Sequence, residues 1–235
     1  MVVRTNNIET MNTDWHFGTP VYRIEKPEWV TQANKATDKY IKEAEQNLQP
    51  ELKERKKILG NKDYLKVKDH GMSYHSTPLN GDPELKELEQ YVGATAWNLL
   101  DEWGYDMEQY TIFYTEFWVQ EFAKRGGGHH STHVHWDNHI SGFYFLKCNN
   151  KTSFPVFHDP RAGAMMTKLP MKDKTKLSQM SDQVYYRPKP GTLIFFPGYV
   201  PHEFAVDMGV EPFRFIHFNL QAVRNTIVET AKGMK

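Results

Sequence analysis

Five of the chain's 11 histidines fall between positions 129 and 139: His129, His130, His133, His135 and His139. Within that run Ser131-Thr-His-Val-His-Trp-Asp137 reads as the end of a strand. Strand side chains alternate, so His133, His135 and Asp137 would share one face. Three metal-capable groups on one face of an apolar sheet are costly to bury without a common partner, and a bound cation would offset that cost. His202 opens a later strand, 65 residues beyond Asp137, and antiparallel roll topology can set two such strands side by side. Two histidines and one carboxylate, with other positions open, form the facial triad of non-haem Fe(II) oxygenases. His135, Asp137 and His202 supply that set. His133-x-His135 is as good a pair, so a cupin-type set of His133, His135 and His202 stands as the alternative. Arg214 lies inside Phe213-Arg-Phe-Ile-His-Phe-Asn-Leu220. An arginine in so apolar a strand needs an anionic partner, and a carboxylate ligand would meet it with a bidentate pair.

The elements that must position these groups change character near residue 110. Before it, Val30, Ala33, Tyr40, Ile41, Ala44 and Leu48 recur at three- and four-residue spacing and predict an amphipathic helix across 27–57, with the basic run Lys53–Lys57 on a solvated end. Asp82 and Pro83 open a second helix whose stripe runs from Leu85 to Trp103 before Gly104. From about residue 110 the period is two. Strands are predicted at Thr111–Phe122, Ser131–Trp136, His139–Lys147, Phe154–His158, Val184–Arg187, Thr192–Phe196, His202–Val206 and Phe213–Ala222, separated by Gly, Pro and Asn turns. Eight strands with few helical interruptions indicate a mainly β (α+β) double-sheet roll. Arg161–Gln183 reads as a long insert loop. We expect one domain over 1–235, with a helical support region over 1–109 and the roll over 110–223.

Composition narrows the function. Lys+Arg and Asp+Glu both number 29, for a formal net charge of zero, which disfavours nucleic acid as the partner. The 14 Phe, 12 Tyr and 6 Trp exclude a disordered composition. Cys148 is the single cysteine, so a disulfide scaffold is excluded. With no visible signal peptide and no apolar run of membrane-spanning length, a cytoplasmic protein is expected.

Taken together, the sequence resembles the Fe(II)- and 2-oxoglutarate-dependent oxygenase superfamily, and more closely a bacterial and phage branch of it. The matching stretches are Phe17-Gly-Thr-Pro-Val21, Glu116-Phe-Trp-Val119, His133-Val-His-Trp-Asp-Asn-His-Ile-Ser-Gly142, His158-Asp-Pro-Arg161, Gly191–His202 and Arg214-Phe-Ile-His-Phe-Asn219. The resemblance implies a double-stranded β-helix with Fe(II) on His135, Asp137 and His202. It also implies 2-oxoglutarate with its distal carboxylate on Arg214, O2 as oxidant, and succinate and CO2 as products. Ascorbate would accompany it as a reductant. Family members commonly place Ser or Thr two residues after the arginine; Ile216 stands there, and Tyr114 or Tyr144 are candidates to compensate. The cupin-type alternative dispenses with 2-oxoglutarate, and a non-catalytic roll could hold zinc with His133 as a fourth ligand. A peptidyl or small-molecule substrate is expected. His129 and His130 read as loop residues, His158–Arg161 as a turn with Arg161 open as a substrate contact, and Trp118 and Trp136 as packing. Alternation sends His217 to the face opposite Arg214.

Overall fold

The computed structural model describes residues 16–161, 163, 169–173 and 175–233; the start of the chain and part of the expected insert lie outside them. Its elements are β1 (Tyr22–Glu25), α1 (Val30–Asn47), α2 (Gln49–Val67), β2 (Ser73–His75), α3 (Lys86–Glu102), β3 (Tyr110–Phe122), β4 (His130–His133), β5 (Ile140–Lys147), β6 (Pro155–His158), β7 (Gln183–Tyr185), β8 (Thr192–Pro197), β9 (His202–Phe204), β10 (Arg214–Arg224) and α4 (Asn225–Gly233). The strands form two sheets, ordered β1-β8-β5-β10-β3-β2 and β4-β9-β6-β7, antiparallel throughout. From β3 onward successive strands alternate between the two sheets, apart from the β6–β7 hairpin within the smaller one, which is the double-stranded β-helix. All eight predicted core strands are present; β1 and β2, too short to show a period, extend the larger sheet.

The larger sheet carries two cores, one on each face, because its central strands alternate between them. Phe117, Val119, Tyr144, Leu146, Ile216 and Phe218 pack outward with Ala33, Ile41, Leu88 and Val92 of α1 and α3. Phe122, Phe143, Phe145, Phe213 and Phe215 point inward with Phe157, Phe196 and Phe204 of the roll. The predicted first helix is two helices: α1 buries Ala33, Ala36, Ile41 and Ala44, whereas α2 buries nothing and is broken at Gly60, where φ is 71°.

On β5 the absence of a side chain at Gly142 is a packing requirement. A Cβ there would sit 2.2 Å from the Ile194 carbonyl oxygen of β8 and 2.3 Å from the Phe218 ring. A carbonyl held in a sheet ladder cannot retreat, so Gly142→Ala is expected to lower stability by ~3 kcal/mol or more, as read by urea unfolding.

Candidate metal centre

Three imidazoles meet at one end of the roll. His133 closes β4 and pairs across to His202, the first residue of β9; their ring centroids are 4.5 Å apart. Beyond His133 the chain leaves the strand. The His135 amide donates to the Gly198 carbonyl at 2.9 Å, and this seats the His135 ring beside the other two, with Nε2 3.2 Å from His202 Nε2. The three residues present ligand nitrogens within 4.8 Å of one another.

The second nitrogen of each ring explains its aim. His133 Nδ1 lies 2.7 Å from the Ser131 carbonyl and His202 Nδ1 lies 3.0 Å from the Val200 carbonyl. A carbonyl only accepts, so Nδ1 carries the proton in both rings and Nε2 keeps its lone pair. His135 Nδ1 instead faces the Asn219 side-chain amide at 2.9 Å. Asn219 is fully buried and fixed by the Ser141 hydroxyl at 2.5 Å and by Glu116 at 2.8 Å. Metal-binding histidines are generally oriented through their far nitrogen in this way. Burial depresses His135 to about 3 and His202 to about 2. His133 and His202 thus present Nε2 lone pairs, whereas His135, accepting from the Asn219 amide on Nδ1, carries its proton on Nε2 and must give it up to bind a divalent transition ion beside them.

A second group, Glu116, His135 and His217, also lies within 4.8 Å. It sits on the Nδ1 side of His135, and the Asn219 amide nitrogen occupies the space between Glu116 and that ring. Glu116 is held down to about 2, first by its hydrogen bond from His217, whose Nε2 is 3.2 Å away. An ion there would have to displace Asn219, so this group is read as the support of His135.

The other sequence-predicted residues are placed elsewhere. Asp137 is exposed in a turn, with φ at 62°, and does not join the cluster. The expected alternation through Trp136 fails because β4 ends at His133; an aspartate tolerates the left-handed turn that follows. Arg214 faces outward with Ile216 and Phe218. It is 3% exposed, with Nε 2.6 Å from Glu121 and NH1 2.6 Å from Asp38 of α1. Its anionic partners are therefore protein carboxylates. Tyr144 and Tyr114 share that outer face, donating to the Lys26 and Glu89 carbonyls at 2.6 Å and 2.5 Å; burial raises both phenols well above their ordinary range. None of these three fits a carboxylate ligand inside the roll. His217 does lie opposite Arg214, but the opposite face is the inner one: its ring is 4.9 Å from His135 and 4.4 Å from Trp118.

His139 receives the Ala222 amide on Nδ1, and His129 bonds the Gly127 carbonyl. His130 turns into the roll. Arg161 is paired with Asp159 at 2.7 Å, beside a cavity of about 460 Å³ whose walls include Val21, Phe157, Val184 and Val200. Glu116 and Asn219, which orient His135, were not among the sequence-predicted site residues. The signal for Asn219 was available, since it continues the period-two series Phe215, His217, Asn219.

Burial of these neutral histidines couples folding to pH. His130, His135 and His202 have folded-state values near 3, 3 and 2, below the unfolded value near 6.5. The unfolded chain then binds more protons, so stability is complete above about pH 6.5 and falls as pH drops toward those values. Urea unfolding of the metal-free protein between pH 7 and pH 4 should show the loss, with uptake of roughly two to three protons per chain unfolded.

Residues 116–219 match the family model described as "Putative 2OG-Fe(II) oxygenase". Among solved structures, AviO1 from Streptomyces viridochromogenes Tue57 aligns over 86% of this chain and 90% of its own, with 11% identity and a TM-score of 0.53. A Trichoplax adhaerens prolyl hydroxylase, solved with a hypoxia inducible factor peptide, aligns over 85% of this chain and 82% of its own, at 11% identity and a TM-score of 0.49. A Pseudomonas putida prolyl-4-hydroxylase covers 86% and 92%, at 13% identity and 0.44. A comparison with curated protein sequences finds no match. Among the described residues no helix is long and apolar enough to cross a membrane. The matched span, residues 116–219, takes in the strands that carry the three imidazoles, so this part of the chain is similar to the 2OG-Fe(II) oxygenase family.

Proposed function

We propose that the chain is an Fe(II)- and 2-oxoglutarate-dependent dioxygenase that hydroxylates a peptidyl or small-molecule substrate, with His133, His135 and His202 as metal ligands. The convergence of three backbone- or amide-oriented imidazoles at the roll's mouth carries this reading. An iron bound there supplies the O2-activating chemistry, with succinate and CO2 as the co-products of 2-oxoglutarate. The chain's own part is to orient and to keep water out. Ser131, Val200 and Asn219 fix the rings. Phe143, Phe157 and Phe196 pack against His202 at centroid distances of 5.7, 6.1 and 4.7 Å. The 460 Å³ cavity shares Phe157 and Val200 with the surroundings of His202, and an apolar-floored cavity of that size suits a side chain or small metabolite. One buried thiol, Cys148, suits a reducing cytoplasm.

The test is succinate release from 2-oxoglutarate with Fe(II), O2 and ascorbate. Turnover lost in His202→Ala supports the reading, and no succinate under any substrate screen contradicts it. A second reading, a three-histidine centre that needs no oxoacid, is favoured by the outward face of Arg214. Substrate-dependent O2 consumption without 2-oxoglutarate would select it.

A further inference from the structure

Arg214 is committed to Glu121 and Asp38 on the outer face, and Arg23 of β1, opposite Ile194 on the inner face, is exposed at the sheet edge with its guanidinium over the Tyr186 ring. Inward of the three imidazoles, the described side chains are mostly phenylalanine rings. Two polar groups interrupt them. Gln120 of β3, 2% exposed, and His130 of β4 reach across the gap between the sheets and bond, Oε1 to Nε2, at 2.9 Å. His130 is caged by Phe122, Phe204 and Phe215 at centroid distances of 5.8, 5.4 and 6.1 Å.

An amide and an imidazole in such a cage are costly unless something there needs them. Their mutual bond uses the histidine N–H and the amide oxygen, which leaves the amide NH2 as a donor. The position is also specific. Along β4 the His130 ring is 6.0 Å from the His133 ring, one step inward from the metal seat. His130, His133 and Trp118 are all half-buried, so the gap between β3 and β4 opens to solvent there.

We propose that Gln120 and His130 form the subsite for the distal carboxylate of 2-oxoglutarate, in place of Arg214. The inference rests on the cosubstrate reading above and assigns it new residues. A five-carbon diacid whose oxoacid end lies at the three imidazoles reaches this pair with its other end. Gln120 then turns its amide N–H groups to the carboxylate, and His130 redirects its N–H from Gln120 to the ligand. Hydrogen bonds from neutral donors to an anion are strong enough to discriminate a diacid from a monoacid.

The experiment compares 2-oxoglutarate with 2-oxovalerate, which lacks the second carboxylate, binding to Co(II)-loaded protein by calorimetry. The wild type is expected to prefer 2-oxoglutarate by about tenfold or more. His130→Phe and Gln120→Leu should remove that preference while leaving Co(II) and 2-oxovalerate affinities unchanged; His130→Phe, at a half-buried position, decides if Gln120→Leu does not fold. Arg214→Lys should keep the preference. A preference that survives His130→Phe, or that vanishes in Arg214→Lys, overturns the assignment. Failure of the Co(II)-loaded wild type to bind either oxoacid would overturn the cosubstrate reading itself, and this subsite with it.

Discussion

Asp137→Ala is expected to bind one Co(II) or Fe(II) per chain with the affinity of the unaltered protein, whereas His133→Ala should weaken binding by more than about 100-fold. Loss of an orienting residue alone commonly costs 10–100-fold, and His133 is read as a direct ligand. The expectation follows from where the two side chains end up. His133 holds its Nδ1 proton on the Ser131 carbonyl and presents Nε2 to His202 and His135. Asp137 points to solvent from a turn two residues past the last ring. Competition titration against a chromogenic chelator measures both. Equal losses in the two variants, or a loss in Asp137→Ala alone, would restore the two-histidine, one-carboxylate set.

Arg214→Ala is expected to be the most destabilising charge removal in the chain. The guanidinium is 4% exposed and joins β10 to Glu121 of β3 and, through Asp38, to α1. Removing it leaves the Glu121 carboxylate, 6% exposed, with Lys147 at 3.3 Å as its remaining cation. Breaking a buried pair from one side typically costs about 3–5 kcal/mol. For a chain of this size that corresponds to a fall in Tm of roughly 6–20 °C. Asp38, 64% exposed, contributes little of this, so Asp38→Asn should move Tm by only a degree or two. Scanning calorimetry of both variants checks the ranking. A near-native Tm in Arg214→Ala would mean that the arginine is not the tie between sheet and helix layer.

The sequence made the roll legible because period-two patterning and turn residues are local. Eight strands from Thr111 to Ala222 could be read one at a time. What it could not show is which face of a strand looks inward. Arg214 and His217 lie on opposite faces of β10, and both assignments of inside and outside satisfy the pattern Phe-Arg-Phe-Ile-His-Phe-Asn. The choice is made by α1, whose Asp38 and Thr37 meet Arg214, and no residue of β10 announces that helix. The proposed metal set was half legible for a related reason. His135 and His202 follow from residue type and topology. The third group depends on where β4 ends, and that is decided by the contact of His135 with the Gly198 turn, about sixty residues away in sequence. Gln120 and His130 gave no signal, since a glutamine in a strand and a histidine after glycines are ordinary until the sheets close over them.

Proton NMR of the Co(II)-loaded protein in H2O tests the metal assignment most directly, because each coordinated imidazole protonated on its far nitrogen contributes one strongly shifted exchangeable N–H resonance. The Nδ1–H signals of His133 and His202, protected by the Ser131 and Val200 carbonyls, are expected, with both kept in Asp137→Ala and one lost in His133→Ala. Signals that all survive His133→Ala and that shift or vanish when Asp137 is replaced would contradict a centre built on His133, His135 and His202.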